Sequence, residues 1–241
     1  MAAFLLRRFL ASILVLFFAV SLTFLLTRSL RGGPFDKEKG STQVTEAQEK
    51  KYKLNGTLWQ QYLAYINDLA HLDLRVSTRY KDWTVAEVLG QKLPNSLQLG
   101  GIAFLIASTL GVFIGALAAM RRDGWIDVGS TLGALIAISI PTFITGPLLI
   151  AIFGLWLGWL PIGGWGSAQH LVLPALCLAA PYAAYVARLM RNSLLDVLKS
   201  DFLRTARAKG LGEAQALTRH AMKVAILPVV TFLGPLAAHL L

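Results

Sequence analysis

Charged residues and cysteines are both scarce in this chain. Asp, Glu, Lys and Arg make up 15% of its 241 residues, whereas a soluble globular domain carries about 25%. The lone cysteine, Cys177, excludes a disulfide within the chain, and it lacks the neighbouring Cys or His residues of a metal site. We therefore predict that Cys177 is a core residue of a membrane span.

Charge is missing altogether from four long stretches, at 9–27, 93–120, 128–187 and 224–241. Hydrophobic residues make up 55% of the chain, and a spanning helix needs about 20 mainly apolar residues. The third stretch is long enough for two spans, which a turn-forming cluster of Pro and Gly at 161–166 separates. We predict an all-α, polytopic helical membrane protein with five spans, at roughly 9–28, 95–120, 128–155, 170–190 and 224–241.

Two kinds of functional group are absent as well. The sequence has no Gly-x-x-x-x-Gly-Lys-Ser/Thr pattern, which excludes a phosphate-binding loop of that kind. No predicted span contains a carboxylate, although ion-coupled carriers usually place ionisable groups in the bilayer despite a cost of about 2.5–3.5 kcal/mol each. We therefore expect a non-enzymatic chain with no catalytic residues, and we expect any transport to draw its energy from another protein.

Basic residues cluster at alternate ends of the predicted spans. Arg7 and Arg8 precede span one, Arg121 and Arg122 follow span two, and further Lys and Arg lie between spans four and five. The positive-inside rule makes this side cytoplasmic and places the N-terminus there as an uncleaved signal-anchor helix. The formal net charge of +10 fits basic cytoplasmic loops, so no nucleic-acid partner is predicted.

The pattern divides the chain into three regions, at 1–28, 29–93 and 94–241. The first is an N-terminal transmembrane helix, the second an external segment, and the third a transmembrane core that includes a cytoplasmic loop at 191–223. Apolar residues between Leu58 and Leu72 recur at helical spacing, which predicts an amphipathic helix. A second short helix is expected near Leu89, with Thr84 as its N-cap.

Small and aromatic residues mark particular places in the core. Gly111 and Gly115 form one small-xxx-small pair and Gly129 and Gly133 another, a pattern that lets helices approach closely. Close packing and a change of shape around a pathway are both compatible with these pairs. Three tryptophans of the turn at 156–165 are typical of an aromatic belt at the membrane interface, although contact with a substrate is an alternative.

The cytoplasmic loop has its own helical pattern. Five apolar residues can share one helical stripe: Leu194, Leu195, Leu198, Phe202 and Leu203. Gly210 is a common kind of helix stop. Residues 213–223 then predict a second helix, with one side formed by Leu217, Ala221 and Val224. Such a pair of short helices is either a docking surface for a soluble partner or a solvated loop.

Eight residues beside that helix stop form a recognisable motif: Arg204, Thr205, Ala206, Arg207, Ala208, Lys209, Gly210 and Leu211. They resemble the coupling motif of dipeptide/oligopeptide-class ABC importer permeases. Its general form in importers is Glu-Ala-Ala-x-x-x-Gly, and here Arg204 replaces the Glu while Gly210 is kept. Further matching pieces extend the resemblance over nearly the whole chain, closest to the oligopeptide branch: Leu6-Arg-Arg, Leu93-Pro-Asn-Ser, Ser139-Ile-Pro-Thr-Phe, Gly158-Trp-Leu-Pro and Leu173-Pro-Ala.

The resemblance implies a type I ABC importer permease fold in a bacterial cytoplasmic (inner) membrane. It implies pairing with a homologous permease subunit, two ATP-binding subunits in the cytoplasm and an external peptide-binding protein. ATP and Mg would be bound by the partner subunits, so no cofactor or metal is expected on this chain. The eight motif residues would form a coupling helix that docks into an ATP-binding subunit.

Two other functions stay open at this point. An ion-coupled secondary transporter or channel subunit would work without ATP-binding partners, and a membrane scaffold would not transport at all. Members of the family also have a sixth span and a further external loop, whereas this sequence stops at Leu241, so the C-terminal part of the family fold is expected to be missing. Cargo other than peptides, such as nickel complexes, glutathione or haem, is handled by relatives.

Overall fold

A computed structural model describes residues 1–29, 56–77, 79–80 and 83–241. Within these residues all regular secondary structure is helical, apart from one isolated antiparallel bridge between Val76 and Thr84. The predicted all-α class is therefore confirmed. The polar beginning of the predicted external segment, up to residue 55, lies outside the described residues.

The described helices follow one another in this order: α1 Ala2–Ser29, α2 Leu58–Ala70, α3 Val85–Met120, α4 Trp125–Ser139, α5 Thr142–Trp156, α6 Ala168–Leu198, α7 Asp201–Ala208, α8 Glu213–Ala225 and α9 Leu227–Leu240. Helices α1, α3 and α6 are each long and apolar enough to cross a membrane. The bent pairs α4–α5 and α8–α9 raise the number of candidate spans in the described residues to five, if each pair is one span.

Contacts divide the chain into two compact units, Met1–Leu93 and Pro94–Leu241. In the first, α2 begins at a capping box in which Thr57 and Gln60 each accept the other's backbone N–H. It packs on the end of α1, where Phe24 is buried against Tyr62 and the Ser21 and Tyr62 hydroxyls are 2.6 Å apart. The predicted amphipathic helix is therefore confirmed.

The second helix predicted in the external segment does not exist as a separate element. Thr84 is an N-cap as expected, because its hydroxyl accepts the Glu87 N–H at 3.2 Å and Glu87 accepts the Thr84 N–H at 2.7 Å. The helix that begins there is α3, and it continues without a break through Pro94 to Met120. The sequence suggested two elements because the charge-free stretch of the second span begins only at residue 93, after Lys92.

The predicted span at 128–155 is strongly bent in the structure. Helices α4 and α5 are bent by 108° at Ile140 and Pro141. Ile140 is extended, with ψ at 119°, because the ring of a following proline disfavours the helical conformation. Pro141 then starts α5, whose last residues, Ile150–Trp156, form a π-helix.

Only one of the two predicted glycine pairs is used for packing in the described structure. A Cβ on Gly111 would lie 2.6 Å from the Val186 Cβ, and one on Gly115 would lie 2.3 Å from the Ala187 carbonyl oxygen, so α3 and α6 touch through these glycines. Gly129 and Gly133 have no neighbouring atom within 4 Å among the described residues. Within the part of the chain that the structure describes, the second pair therefore makes no close helix contact.

Two further predictions need correction. Helix α6 runs past the predicted span end to Leu198, so the predicted apolar stripe is divided between α6 and α7 by a break at Lys199 and Ser200. Cys177, predicted to be a core residue, is only half-buried because it borders a cavity beside Gly146. Residues 200–225, which follow α6, are called the knob below.

Candidate coupling surface

The first part of the knob is α7, a helix of two turns attached to the core by one side chain. Ser200 is its N-cap, and Asp201 lies in the first turn, where a negative charge is favourable. Leu203 is completely buried in the same core cluster as Leu194 of α6. Phe202, which the sequence placed on the same apolar stripe, is 45% exposed and adds an apolar side chain to the outer surface.

The predicted helix stop at Gly210 is confirmed. The Gly210 N–H donates to the Arg207 carbonyl at 2.9 Å, and the Leu211 N–H donates to the Ala206 carbonyl at 3.2 Å. These two bonds are those of a Schellman motif, which requires a residue in the left-handed region directly after the helix. Gly210 has φ at +87°, a conformation that glycine adopts without a Cβ penalty.

The second part of the knob is α8, whose buried side matches the predicted one only in part. Ala216, Ala221 and Ala225 are fully buried, whereas Val224 is 42% exposed and Leu217 only half-buried. Residues Ala216–Ala221 form a π-helix, in which five residues rather than four separate successive buried positions. Regular helical spacing therefore predicted Ala221 correctly and Val224 wrongly.

An ion pair joins the two parts of the knob across the Gly210 turn. Arg207 Nε lies 2.9 Å from Glu213 Oε1, and its Nη2 donates to Glu213 Oε2 at 3.2 Å. A second pair, between Arg204 and Asp201 at 3.2 Å, is well exposed. Exposed pairs contribute only about 0–1 kcal/mol. The Arg207 pair therefore contributes little to the stability of the fold.

All eight motif residues lie together on α7 and the turn after it. Five are exposed and three half-buried, so the motif forms an outer surface of the knob. The exposed five are Arg204, Thr205, Ala208, Lys209 and Gly210. Because Leu203 is the only buried residue of α7, most of this helix is free to contact another protein.

Comparison with known proteins identifies the family. The model of the family described as binding-protein-dependent transport system inner membrane component matches residues 111–241, which include the whole knob. The chain belongs to this family. It is a multi-pass membrane protein and a permease, with the helical fold described above.

The permease is similar to curated relatives over almost all of its length. It is 39% identical over 238 residues to the oligopeptide transport system permease protein OppB of Haemophilus influenzae, and 40% identical to that of Escherichia coli K12, covering 98% of this chain and 78% of each relative. It is 36% identical over 242 residues to the dipeptide transport system permease protein DppB of Bacillus subtilis, covering 100% of this chain and 79% of the relative.

The structure also contains a buried ion pair between α4 and α6 that was not predicted from the sequence. Asp127, in the first turn of α4, is 4% exposed and accepts from both Nε and Nη2 of Arg191 on α6, the latter at 2.7 Å. The Asp123 N–H donates to the same carboxylate at 3.1 Å. Asp127 lies just before the predicted span at 128–155, so the pair is at the end of that span rather than inside it. Asp127 directly precedes the longest charge-free stretch and Arg191 follows it, a signal that could have suggested the pair.

Proposed function

We propose that this permease is the transmembrane subunit of an ATP-driven ABC importer for oligopeptides or dipeptides. The observation that carries the proposal is the knob, an exposed helix and turn attached to the bundle core, which holds the eight residues of the coupling motif. The names of the relatives support peptides as the cargo. The chain forms the pathway with a homologous permease subunit, and an external binding protein delivers the peptide.

The energy comes from two ATP-binding subunits, which bind ATP and Mg on the cytoplasmic side. In this proposal the motif residues insert into a cleft of one such subunit, and closure of the nucleotide-bound pair pushes the knob. Residues 200–223 contain five basic and two acidic side chains, so a cleft with an acidic rim complements the surface. The permease itself carries out no chemical step.

The packing behind the knob supports transmission of that push. Leu203 of α7, Ala216 of α8 and Leu194 of α6 are all completely buried in one core cluster, so the knob cannot move independently of α6. The Asp127–Arg191 pair connects α6 to the start of α4. A rigid-body displacement of the knob would therefore reach two of the candidate spans together.

The proposed orientation has the N-terminus and the knob in the cytoplasm and the segment 29–93 outside. Single cysteines replacing His71 or Arg219, both exposed, test it on a Cys177→Ala background. An impermeant thiol reagent applied to intact cells should label the first and not the second, while inverted vesicles should give the opposite result. Labelling of both from the same side would contradict the orientation.

The function is tested by reconstituting the permease with its sister subunit, the two ATPases and the binding protein in vesicles. We expect peptide uptake that requires ATP and is unaffected by collapsing ion gradients. Uptake driven by an ion gradient without ATP would instead establish a secondary transporter, and no uptake of any peptide would refute the cargo.

The docking of the knob is tested with a photo-reactive amino acid at the exposed position Ala208. In the assembled complex it should cross-link to an ATP-binding subunit. The same probe at His71, on the opposite side of the membrane in this proposal, is the control and should give no such product. Absence of the cross-link at Ala208 in a complex that transports would show that the knob lies elsewhere.

A further inference from the structure

A cavity of about 380 Å³ lies beside α6 in the second unit, away from the knob. Helix α5 contributes Gly146 and Ile150 to its wall, and α6 contributes residues from His170 to Leu178. The turn at 161–164 forms another side. Small-molecule sites usually measure about 300–1,000 Å³, so this cavity suits one group of a ligand rather than a large ligand.

The cavity is apolar except at one end. Among the described residues that line it, only His170 and Cys177 have a heteroatom in the side chain. His170 lies beside the turn, where its Nδ1 is 2.7 Å from the Ser167 hydroxyl. Cys177 is seven residues further along α6, or about 10 Å at 1.5 Å per residue. The site therefore offers a polar end next to the turn and an apolar interior beyond it.

Two glycines and an irregular helix keep this space open. Gly146 has one atom within 4 Å of a built Cβ, the Cys177 Sγ at 3.7 Å, among the described residues. Gly164 has φ at +107°, and a Cβ there would lie 2.9 Å from the His170 ring. Ile150 begins the π-helical end of α5, and π turns are frequent at functional sites.

We propose that this cavity binds an apolar side chain of the transported peptide, such as that of Leu or Phe. The peptide main chain would lie at the His170 end, because a peptide residue combines a polar backbone with one apolar group. Trp156 and Trp159 near the turn are 81% and 68% exposed, which suits a position at the membrane interface, where an external peptide arrives.

This inference rests on the proposed peptide transport, and its first test is a change of preference. Gly146→Leu would fill the cavity, and Gly146→Ala would reduce it without a clash, because 3.7 Å is an ordinary van der Waals distance. Gly133→Leu, on the other half of the same bent pair and without a described atom within 4 Å, is the matched control. Uptake of Ala-Phe-Ala and of Ala-Ala-Ala is measured in the complete reconstituted transporter.

We expect the kcat/KM ratio of Ala-Phe-Ala over Ala-Ala-Ala to fall about tenfold for Gly146→Leu, which corresponds to about 1.4 kcal/mol. A smaller fall is expected for Gly146→Ala and none for Gly133→Leu. Since both peptides use the same protein, a lower amount of folded transporter leaves the ratio unchanged. An unchanged ratio in both Gly146 variants would overturn the proposal.

The second test uses Cys177, the only cysteine of this chain, as a probe of occupancy. Its alkylation by N-ethylmaleimide is followed by mass spectrometry of the wild-type complex. Ala-Phe-Ala should slow the reaction several-fold, and Ala-Ala-Ala should not. If neither peptide changes the alkylation rate but the lipid composition of the vesicles does, the cavity is a lipid site and the proposal is overturned. Wild-type vesicles that import no peptide of any length would refute the proposed function itself, and this inference with it.

Discussion

Replacement of Gly210 by valine is the sharpest test of the knob as a coupling element. Gly210 has φ at +87°, and a built Cβ has no described atom within 4 Å. The side chain would therefore meet no neighbour, and the cost comes from the backbone alone. A residue with a Cβ pays about 1–2 kcal/mol in the left-handed region. A β-branched residue is a clear outlier in that region, so the cost for valine should be at the upper end of this range.

A cost of this size is large for a single turn. One to two kcal/mol changes an equilibrium by a factor of about 5–30. The native turn, with the Gly210 and Leu211 amides bonded to the end of α7, would lose population to other turn conformations by that factor. The motif residues would then be displaced relative to α8. The core cluster holds Leu203, so the membrane level of the protein should stay normal.

Gly212 is a matched control two residues away. It has φ at −64° and ψ at 150°, an extended conformation that valine adopts freely, and a Cβ there also has no described atom within 4 Å. In reconstituted vesicles we expect Gly210→Val to reduce ATP-driven peptide uptake at least fivefold and Gly212→Val to match wild type. Gly210→Asn should be intermediate, because asparagine tolerates the left-handed region. Wild-type uptake by Gly210→Val, or equal losses in both valine variants, would refute the reasoning.

Three further outcomes are expected. Asp127→Asn should lower the thermal stability of the purified protein. Breaking a buried ion pair costs about 3–5 kcal/mol. The cost here should be somewhat lower, because the Arg191 side chain is 26% exposed. Replacing both partners by apolar residues should recover much of the loss, and a double variant no more stable than the single one would contradict this. Gly115→Ala should destabilise by about 1–3 kcal/mol, because its Cβ would press on the Ala187 carbonyl, whereas Gly133→Ala should be harmless; equal melting temperatures would contradict the packing. The isolated permease should hydrolyse no ATP, and turnover that survives removal of contaminating ATPases would overturn the assignment of that step to partners.

Hydropathy and local capping signals were sufficient to predict much of the helical architecture from the sequence. The apolar stretches predicted the places of the candidate spans, since the cost of putting charge into a bilayer applies wherever the chain folds. Thr57, Thr84 and Gly210 end or begin helices through bonds to residues within four positions along the chain. Signals of so short a range can be read from sequence because no distant residue is needed to produce them.

Other features depended on residues that are distant in sequence. Asp127 and Arg191 are 64 positions apart, and only the packing of α4 on α6 makes them partners. The two glycine pairs look alike in sequence, yet only Gly111 and Gly115 meet another helix in the described structure, and that difference depends on the rotation of each helix.

The tertiary structure also decided the local geometry that hydropathy cannot detect. Pro141 indicates a possible kink, but the 108° bend and the cavity beside Cys177 depend on where α5 finds contacts on α6. The π turn of α8 places Ala216 on the buried face with Ala221 and leaves Val224 exposed, because burial against the core outweighs regular helical spacing. Apolar content and caps are local or additive properties of a sequence, whereas bend angles, helix faces and ion pairs come from the simultaneous packing of many residues.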